Sequence, residues 1–289
     1  MNGGIERKYP GDPTVKPVHH AVLEFSRFID EDKIACGQSF ALFPQNSAED
    51  VQECIKAFGW NESELIGNKT VKQMLCEDVD VRSQKVNLDK LWPQGSSEEG
   101  PLKEFIALLR RTYAGADILC VLDLARELVK LGEAGKAEVF EVPQYMVEEA
   151  HVMPRIKPRF YSIVNDPFMG GSVKKTKTLE IVLSETTFKK NDEVRLGLCT
   201  NFLTTAENSN DSKVEIKCQF SSSYRVLRLP PAPADGEQPR SLLFFAHGTG
   251  IAPFISMLET IKNSNLIDKY IVTLIFGVRD NQEDLLFAE

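Results

Sequence analysis

Residues 248–254 read Gly-Thr-Gly-Ile-Ala-Pro-Phe and come just after an apolar run at residues 241–246. Such a run is typical of a strand that a parallel sheet buries on both faces, and helical spacing of apolar residues follows Pro253. Glycine permits positive φ and a close approach of ligand to backbone, while the free N–H groups of a helix start attract phosphate. Gly248, Thr249 and Gly250 are therefore a candidate nucleotide-binding turn, although a strand-to-helix turn without a ligand explains the local pattern equally well.

A second candidate group lies in residues 157–163, which read Lys-Pro-Arg-Phe-Tyr-Ser-Ile and alternate as a strand does. Arg159 offers a fixed cation for a phosphate, Tyr161 a flat ring for stacking, and Ser162 a hydroxyl for a ring nitrogen. The alternative is an edge strand with a solvated arginine and a half-buried tyrosine. A third segment looks like a turn that opens a short helix suited to phosphate, and it comprises Gly197, Leu198, Cys199 and Thr200.

The elements that position these groups can be predicted from periodicity and from Gly/Pro punctuation. Alternating or apolar runs predict strands at residues 18–25, 39–43, 159–164, 178–183, 214–220, 241–246 and 270–276. Helical periodicity predicts helices at residues 48–58, 70–75, 101–111, 117–131, 142–150 and 252–263. Ser47 and Gly59 suit a capping-box start and a C-cap for the first of these helices. A proline-rich stretch at residues 229–236 marks a domain boundary.

Bulk properties exclude some classes of function. The chain has 289 residues, enough for two domains, and its net charge of −8 argues against nucleic acid as a partner. Its six cysteines form no C-x-x-C pair, which indicates reduced thiols and a cytoplasmic location, and its four histidines show no metal-ligand spacing. No apolar stretch approaches the roughly 18 residues of a membrane span, and residues 1–8 lack the apolar core of a signal peptide. We therefore expect no metal site and no membrane segment.

Together, the three candidate segments resemble the FAD- and NADPH-binding half of the diflavin reductases. That family includes cytochrome P450 reductase, sulfite reductase flavoprotein, methionine synthase reductase and nitric oxide synthase reductase, within the ferredoxin–NADP reductase superfamily. Residues 37–46 are similar to an early G-D-x-x-x-x-x-P-x-N segment of the family, with Gln38 where an aspartate is common. Residues 276–289 are similar to its F-G-x-R…D-x-L-x-x-E segment, so the resemblance extends from about residue 18 to the last residue.

The resemblance implies an α+β multidomain fold. An antiparallel FAD-binding β-barrel with a helical insertion would be followed by a partial α/β, Rossmann-like NADP-binding domain. The implied domains are a flexible lead-in at residues 1–17, the FAD-binding barrel at 18–59 and 151–228, a helical connecting insertion at 60–150, a linker at 229–239, and an incomplete NADP-binding domain at 240–289.

For FAD, the resemblance assigns roles residue by residue. Arg159 would pair with the FAD pyrophosphate, the Tyr161 ring would pack on the isoalloxazine, and the Ser162 hydroxyl would lie near flavin N5. The pyrophosphate would also be held by the backbone N–H groups of Gly197, Leu198, Cys199 and Thr200. The hydroxyl of Thr200 would add a further contact. Ser162 is thus an implied catalytic residue.

For NADPH, the resemblance points to the turn at Gly248, Thr249 and Gly250. Thr249 would approach the nicotinamide as the second catalytic residue, and Arg279 would contact the NADPH phosphates. The implied reaction is hydride transfer from NADPH to FAD, followed by passage of single electrons to a separate FMN-containing, flavodoxin-like or other redox protein. No metal is implied.

The chain departs from the family pattern at both ends. We expect no flavodoxin-like domain before residue 18, so the onward acceptor would be a separate protein or another part of a longer one, and only two strands are predicted after residue 240. A doubly wound nucleotide domain usually has about five strands, so we expect a C-terminally truncated reductase; the alternatives are a partner that completes the sheet, or a protein that keeps FAD binding and has lost NADPH turnover. The alternative function is an FAD-binding electron-relay or scaffold module with little NADPH activity.

Overall fold

The computed structural model describes residues 6–7, 17–30, 34–91, 101–113, 119–133, 142, 144–149, 152–166, 175–190, 193–208, 216–220, 227–278 and 285–287. The strands in this part are β1 (Glu6–Arg7), β2 (Val18–Asp30), β3 (Ser39–Phe43), β4 (Leu65–Ile66), β5 (Lys69–Thr70), β6 (Arg159–Ser162), β7 (Lys175–Ser184), β8 (Thr187–Lys190), β9 (Glu193–Leu196), β10 (Lys217–Phe220), β11 (Arg240–His247) and β12 (Tyr270–Gly277). The helices are α1 (Ala48–Phe58), α2 (Val71–Glu77), α3 (Leu88–Leu91), α4 (Pro101–Thr112), α5 (Val121–Glu133), α6 (Leu198–Asn208) and α7 (Ala252–Asn263).

The chain divides into two compact units, each assembled from separate stretches of sequence. The first unit comprises Met1–Leu42, Arg159–Glu185 and Ala206–Glu289. The second unit comprises Phe43–Pro158 and Thr186–Thr205. The predicted domain boundaries stay a prediction.

Antiparallel sheets form one part of the first unit. Strand order is β1-β2-β7 in one sheet and β10-β3-β6 in the other. β2 and β7 pair from Val18 opposite Ser184 to Asp30 opposite Lys175, with a register shift after Glu24. Side chains on one face of β2 are buried, as the alternating sequence predicts. Within the described residues the two sheets do not join into a closed barrel, so the mixed α+β fold is confirmed and the barrel is not.

A parallel β-α-β motif forms the other part of the first unit. β11 and β12 pair in parallel from Arg240 opposite Tyr270 to His247 opposite Gly277, and α7 is the crossover between them. Met257 of α7 packs against Phe244 of β11, and the rings of Phe244 and Phe254 stack with their centroids 4.7 Å apart. The strand, helix and strand predicted here are confirmed.

The second unit contains helices α1 to α5 around one apolar core. Ser47 caps α1 by accepting the N–H of Asp50 at 3.2 Å, and Gly59 ends it in the left-handed conformation, at φ 66°. Thr70 and Gln73 form a capping box at the start of α2. The core is lined by buried side chains of these helices, including Val51, Leu75, Leu109, Leu122 and Leu124.

Several elements of the second unit differ from their predicted form. α5 begins at Val121 rather than 117, because Asp123 accepts the backbone N–H of Cys120 at 3.2 Å and so caps the helix there. The segment predicted as a helix at 142–150 contains a 3₁₀ helix at Gln144–Glu148. The hairpins of β4 with β5 and of β8 with β9 were not predicted, and neither was α3.

Candidate active site

Strand β6 carries the arginine, tyrosine and serine that sequence analysis selected. It pairs with β3, where Leu42 lies opposite Arg159, Phe40 opposite Tyr161 and Ser39 opposite Ser162. All three selected side chains are partly exposed, whereas Phe40 and Leu42, the partners of Tyr161 and Arg159 on β3, are fully buried. Alternation along a strand directs Arg159 and Tyr161 to one face and their neighbours to the other. β6 therefore presents a cation and an aromatic ring side by side.

The hydroxyl of Ser162 has a partner on the neighbouring strand. Its Oγ atom lies 3.1 Å from Oγ of Ser39, and either hydroxyl can donate. Ser39 belongs to the early segment at residues 37–46, so that segment and the β6 motif meet here. Sequence analysis did not select Ser39, because a lone serine at the start of a strand carries no signal of its own.

The backbone after Ser162 is fixed by hydrogen bonds to β3 and β7. The N–H of Ile163 donates to the carbonyl of Gln38 at 2.9 Å, and that of Val164 donates to the carbonyl of Glu180, also at 2.9 Å. The side-chain oxygen of Asn165 accepts the N–H of Glu180 at 2.9 Å. The residues that follow β6 are therefore hydrogen-bonded both to the segment before β3 and to β7.

The turn at Gly248–Ile251 is a 3₁₀ turn that leads directly into α7. Gly248 has φ +50°, in the left-handed region that favours glycine. A Cβ atom placed on Gly248 or Gly250 would meet no heavy atom within 4 Å, so open space lies over both residues. Open backbone at the start of a twelve-residue helix fits a phosphate-bearing ligand such as NADPH. Thr249 lies between these glycines and is partly exposed.

Helix α7 contacts the exit from β6 through a fully buried serine. Ser256 donates its hydroxyl to the carbonyl of Asn165 at 2.7 Å and accepts the N–H of Gly37 at 3.0 Å. Gly37 has φ +70°, and a Cβ atom placed on it would lie 2.8 Å from the carbonyl oxygen of Pro253. The chain before β3 therefore touches the first turn of α7 at a position where only glycine fits.

A second set of contacts joins α7 to Asp166. The N–H of Asp166 donates to the carboxylate of Glu259 at 2.7 Å. The carboxylate of Asp166 accepts the hydroxyl of Thr260 at 3.2 Å and the amide of Asn263 at 3.0 Å. Burial raises the pKa of Glu259, and the negative charges of Glu180 and Asp166 raise it further, against the opposing effect of the Asp166 N–H.

Four polar residues of α7 are spaced at i, i+3, i+4 and i+7, which places them on one face of the helix. We call them the polar stripe: Ser256, Glu259, Thr260 and Asn263. Sequence analysis did not select them. Their spacing was a usable signal for a polar face, but a polar helix face is normally exposed to solvent.

The third predicted segment lies in the second unit, at the start of α6. Gly197 donates its N–H to the carbonyl of Thr186 at 2.7 Å, and Leu198 donates its N–H to Oγ of Ser83 at 2.8 Å. The hydroxyl of Thr200 accepts the N–H of Thr186 at 3.2 Å, and both Cys199 and Thr200 are buried. Two of the N–H groups and the hydroxyl that were predicted to hold a pyrophosphate thus already have partners.

Buried ion pairs support this segment within the second unit. Arg82 forms hydrogen bonds with both carboxylate oxygens of Asp50 and donates to the carbonyl of Leu196 at 3.3 Å. Arg195 pairs with Asp123, with Nη1 2.7 Å from Oδ1. Burial raises the pKa of Asp123, but the hydrogen bonds and charge of Arg195 outweigh burial and leave the pKa below its usual value.

One predicted site residue, Arg279, lies outside the described residues. Of the others, Arg159, Tyr161 and Ser162 belong to the same unit as Gly248, Thr249 and Gly250, while Gly197, Leu198, Cys199 and Thr200 belong to the second unit. In the part of the chain that the structure describes, no cluster of three or more histidine, cysteine or acidic residues is arranged to hold a metal ion. None of the helices described is long and apolar enough to cross a membrane.

Comparison with known proteins finds several relatives at low identity. The chain is 29% identical over 138 residues to the NADPH-dependent diflavin oxidoreductase 1 of Eremothecium gossypii, in an alignment that covers 47% of this chain and 18% of that protein. It is 26% identical over 284 residues to the protein of the same name from Mycosarcoma maydis, covering 87% of this chain and 41% of that protein.

A third relative carries another name. The NADPH–cytochrome P450 reductase of Dictyostelium discoideum is 23% identical over 282 residues, and the alignment covers 90% of this chain and 39% of that protein. No protein-family model matches the chain. The chain therefore spans less than half the length of these three relatives, and two of the three alignments extend over most of it.

Proposed function

This chain belongs to the diflavin reductase family, and on that premise we propose that it is an NADPH-dependent flavoprotein reductase. It binds FAD and passes electrons from NADPH to a separate flavodoxin-like or other redox protein. FAD, when bound, accepts a hydride and gives up single electrons. One observation carries the proposal: a single unit holds both the β6 motif and the Gly248–Gly250 turn, and α7 joins them by hydrogen bonds.

For FAD, we assign the binding of the flavin ring and of the pyrophosphate to residues of β6. The guanidinium of Arg159 is a permanent cation suited to a pyrophosphate, and the ring of Tyr161 lies on the same face of the strand for packing on the flavin. Ser162 ends the strand, and its hydroxyl orients toward a flavin nitrogen or toward Ser39. The chemistry of these three donors fits FAD.

A contribution of the second unit to FAD binding rests on the resemblance. For Gly197 and Leu198 to bind a pyrophosphate through their N–H groups, the bonds to Thr186 and Ser83 would have to be exchanged for bonds to phosphate. A charged acceptor makes the stronger hydrogen bond, which would offset part of the cost of losing the two existing bonds. The same proposal assigns Cys199 and Thr200 to the pyrophosphate through their backbone N–H groups, with the Thr200 hydroxyl as a further contact.

For NADPH, we assign the Gly248–Gly250 turn to the nucleotide. The open space over Gly248 and Gly250 allows a phosphate to approach the backbone, and the partial positive charge of the α7 start favours it. Thr249 would contact the nicotinamide side of the ligand. Arg279 adds a phosphate contact in this scheme.

We also propose the domain organisation that the resemblance implies. An antiparallel barrel for FAD comprises residues 18–59 and 151–228, and a helical insertion comprises residues 60–150. The NADP-binding domain comprises residues 240–289. The pairing of β2 with β7 and of β3 with β6 supports the first, and the parallel pair of β11 and β12 supports the last.

A second candidate function is an FAD-binding electron-relay module with little NADPH activity. One observation favours it. In the described part of the β-α-β motif, the sheet face opposite α7 leaves four apolar side chains exposed, namely Leu243, Phe245, Ile271 and Ile275. A parallel sheet is normally covered on both faces, so within the described residues this sheet lacks one of the two layers of a doubly wound fold.

Anaerobic titration with NADPH tests the two functions. The chain is loaded with FAD, excess FAD is removed, and the absorbance of the oxidised flavin is followed after each addition. Loss of that absorbance supports the reductase, and bound flavin that NADPH does not reduce supports the relay module. The Ser162→Ala variant is expected to bind FAD normally and to be reduced more slowly, by about ten- to a thousandfold if its hydroxyl stabilises the transferred charge. Failure to bind FAD would refute both functions.

A further inference from the structure

Ser256 is an unusual residue for its position, because its side chain is completely buried in the first half of α7. Burying a hydroxyl is costly unless it is hydrogen-bonded, and here both the donor and the acceptor capacity are used. The Ser256 hydroxyl donates to the carbonyl of Asn165 and accepts the N–H of Gly37. One side chain thus satisfies two backbone groups from segments that are far apart in sequence.

Both of those segments lead directly to the Ser162 hydroxyl. Asn165 follows β6, which ends at Ser162, and Gly37 precedes β3, which begins at Ser39. Ser39 and Ser162 then contact each other through their hydroxyls. Ser256 therefore binds the residue two positions before Ser39 and the residue three positions after Ser162, the predicted flavin-facing serine.

The same residue is close to the nucleotide turn along the helix. α7 begins at Ala252, directly after the Gly248–Ile251 turn, and Ser256 lies in its second turn. The tight contact of Gly37 with Pro253 and the bonds of Asp166 to Thr260 fix the helix on both sides of Ser256. A rigid path of hydrogen bonds and one short piece of helix thus links Thr249 to Ser162.

We propose that Ser256 is a positioning residue that holds the Ser162 end of β6 at a fixed distance from the Gly248–Gly250 turn. The proposal rests on the proposed reductase function, because hydride transfer needs the two rings in near-contact geometry and loses rate steeply when they are displaced. Ser256 touches neither ring in this scheme and acts through the backbone of Asn165 and Gly37.

The test uses Ser256→Ala and the matched control Ser264→Ala, which makes the same change at an exposed position just past the end of α7. Hydrogen–deuterium exchange is measured first, on the chain without cofactor. We expect exchange to become faster, by about tenfold, in residues 35–39 and 163–166 and to be unchanged in the β2–β7 pair. The control should match the unsubstituted chain throughout.

The second measurement is the rate of flavin reduction at saturating NADPH in the FAD-loaded protein. We expect Ser256→Ala to lower this rate by about ten- to a hundredfold, with the FAD dissociation constant and the half-saturating NADPH concentration within about twofold of the unsubstituted chain. Ser256→Cys, which keeps the size and a weaker hydrogen-bonding group, should recover part of the rate.

Three results would overturn the proposal. Exchange that is unchanged would mean that Ser256 does not hold these segments, and exchange that rises equally everywhere would mean only general destabilisation. A normal reduction rate with locally faster exchange would mean that the distance between the Ser162 end of β6 and the Gly248–Gly250 turn does not limit hydride transfer. If the unsubstituted chain binds FAD but is not reduced, the reductase function fails, and the exchange data alone decide whether Ser256 anchors β6.

Should Ser256→Ala not fold, Thr260→Val provides the same test at a partly exposed position. Valine keeps the shape of threonine but removes the hydroxyl that donates to Asp166. We expect faster exchange in residues 163–166 and a reduced limiting rate. Unchanged exchange and rate in that variant would count against positioning by α7.

Discussion

Substitution of Gly37 by alanine tests the contact between the chain before β3 and the first turn of α7. Gly37 has φ +70°, which costs an alanine roughly 1–2 kcal/mol because its Cβ meets its own carbonyl. That Cβ would also lie 2.8 Å from the carbonyl oxygen of Pro253, 3.1 Å from its Cβ and 3.2 Å from its Cα. Three close atoms of one residue, two of them backbone, cannot be relieved by a rotamer change, so overpacking adds about 1–3 kcal/mol.

Gly236 offers a matched control within the same unit. It also has positive φ, +86°, but a Cβ atom placed on it would meet nothing within 4 Å. Gly236→Ala should therefore cost the conformational part alone, about 1–2 kcal/mol, and Gly37→Ala about 2–5 kcal/mol. The difference between the two variants isolates the contact with Pro253 from the backbone conformation that both share.

Urea unfolding of the cofactor-free chain, followed by circular dichroism, measures both values. Midpoints are compared only if the dependence on urea concentration is the same for the three proteins, since a change in slope signals a changed unfolded state. We expect the Gly37→Ala midpoint to be clearly below that of Gly236→Ala. Equal midpoints would mean that the Pro253 turn moves aside at no cost, and the rigid link between β3 and α7 would have to be abandoned.

Three further substitutions test the site and its support. Tyr161→Ala should weaken FAD binding by about 1–3 kcal/mol through lost aromatic packing, measured by flavin fluorescence titration, whereas the exposed neighbour Phe160 is the control and its alanine variant should bind normally. Asp123→Asn should destabilise the chain by about 3–5 kcal/mol at neutral pH, because it leaves Arg195 buried without its partner. Since the pKa of Asp123 is depressed in the folded chain, its contribution is present above its unfolded pKa and is lost as the pH falls through the folded value, so urea midpoints of the asparagine variant should lack that acid-side decline. The pKa of Glu259 is raised instead, so the stability contributed by its protonated carboxyl is present at low pH and is lost as the pH rises through the folded-state pKa. Above that pH, Glu259→Gln should be at least as stable as the unsubstituted chain. A lower urea midpoint for the variant there would contradict the raised pKa.

The β-α-β motif was predicted closely because its signals are local. An apolar run, a glycine-rich turn and a helical period follow one another without interruption. Strand, helix and strand were expected at 241–246, 252–263 and 270–276, and they lie at Arg240–His247, Ala252–Asn263 and Tyr270–Gly277. The caps at Ser47 and Gly59 are equally local and were predicted from residue type.

The hairpin of β8 and β9 was missed because each strand has only four residues: Thr-Phe-Lys-Lys ends in two charged residues, and Glu-Val-Arg-Leu alternates over too short a stretch to stand out. Pairing across the hairpin, from Thr187 opposite Leu196 to Lys190 opposite Glu193, forms it despite weak propensity. Local pattern cannot supply a partner strand. The same limit applies to β1, which pairs as two residues against His19 and His20.

The candidate site likewise contains residues that a local motif could predict and residues whose partners are distant in sequence. Arg159, Tyr161 and Ser162 were found because their types and order match a family motif. Ser256 could not be found, since its two partners, Gly37 and Asn165, are distant in sequence and a serine in a helix normally faces solvent. Only the folded chain reveals that both of its hydrogen-bonding capacities are used on backbone groups.

Helix α7 is buried on two faces of opposite character, and this explains how a weakly similar sequence can keep a fixed site geometry. Its apolar residues, such as Met257, pack on β11 and β12, where many side chains of similar size would serve. Its polar stripe meets Asn165 and Asp166, where each hydrogen bond requires one register of the helix. A shift of α7 along its axis would leave several buried polar groups without partners at once, which is far more costly than repacking the apolar face. The separation between the glycine-rich turn and β6 is therefore set by the fold before any ligand binds.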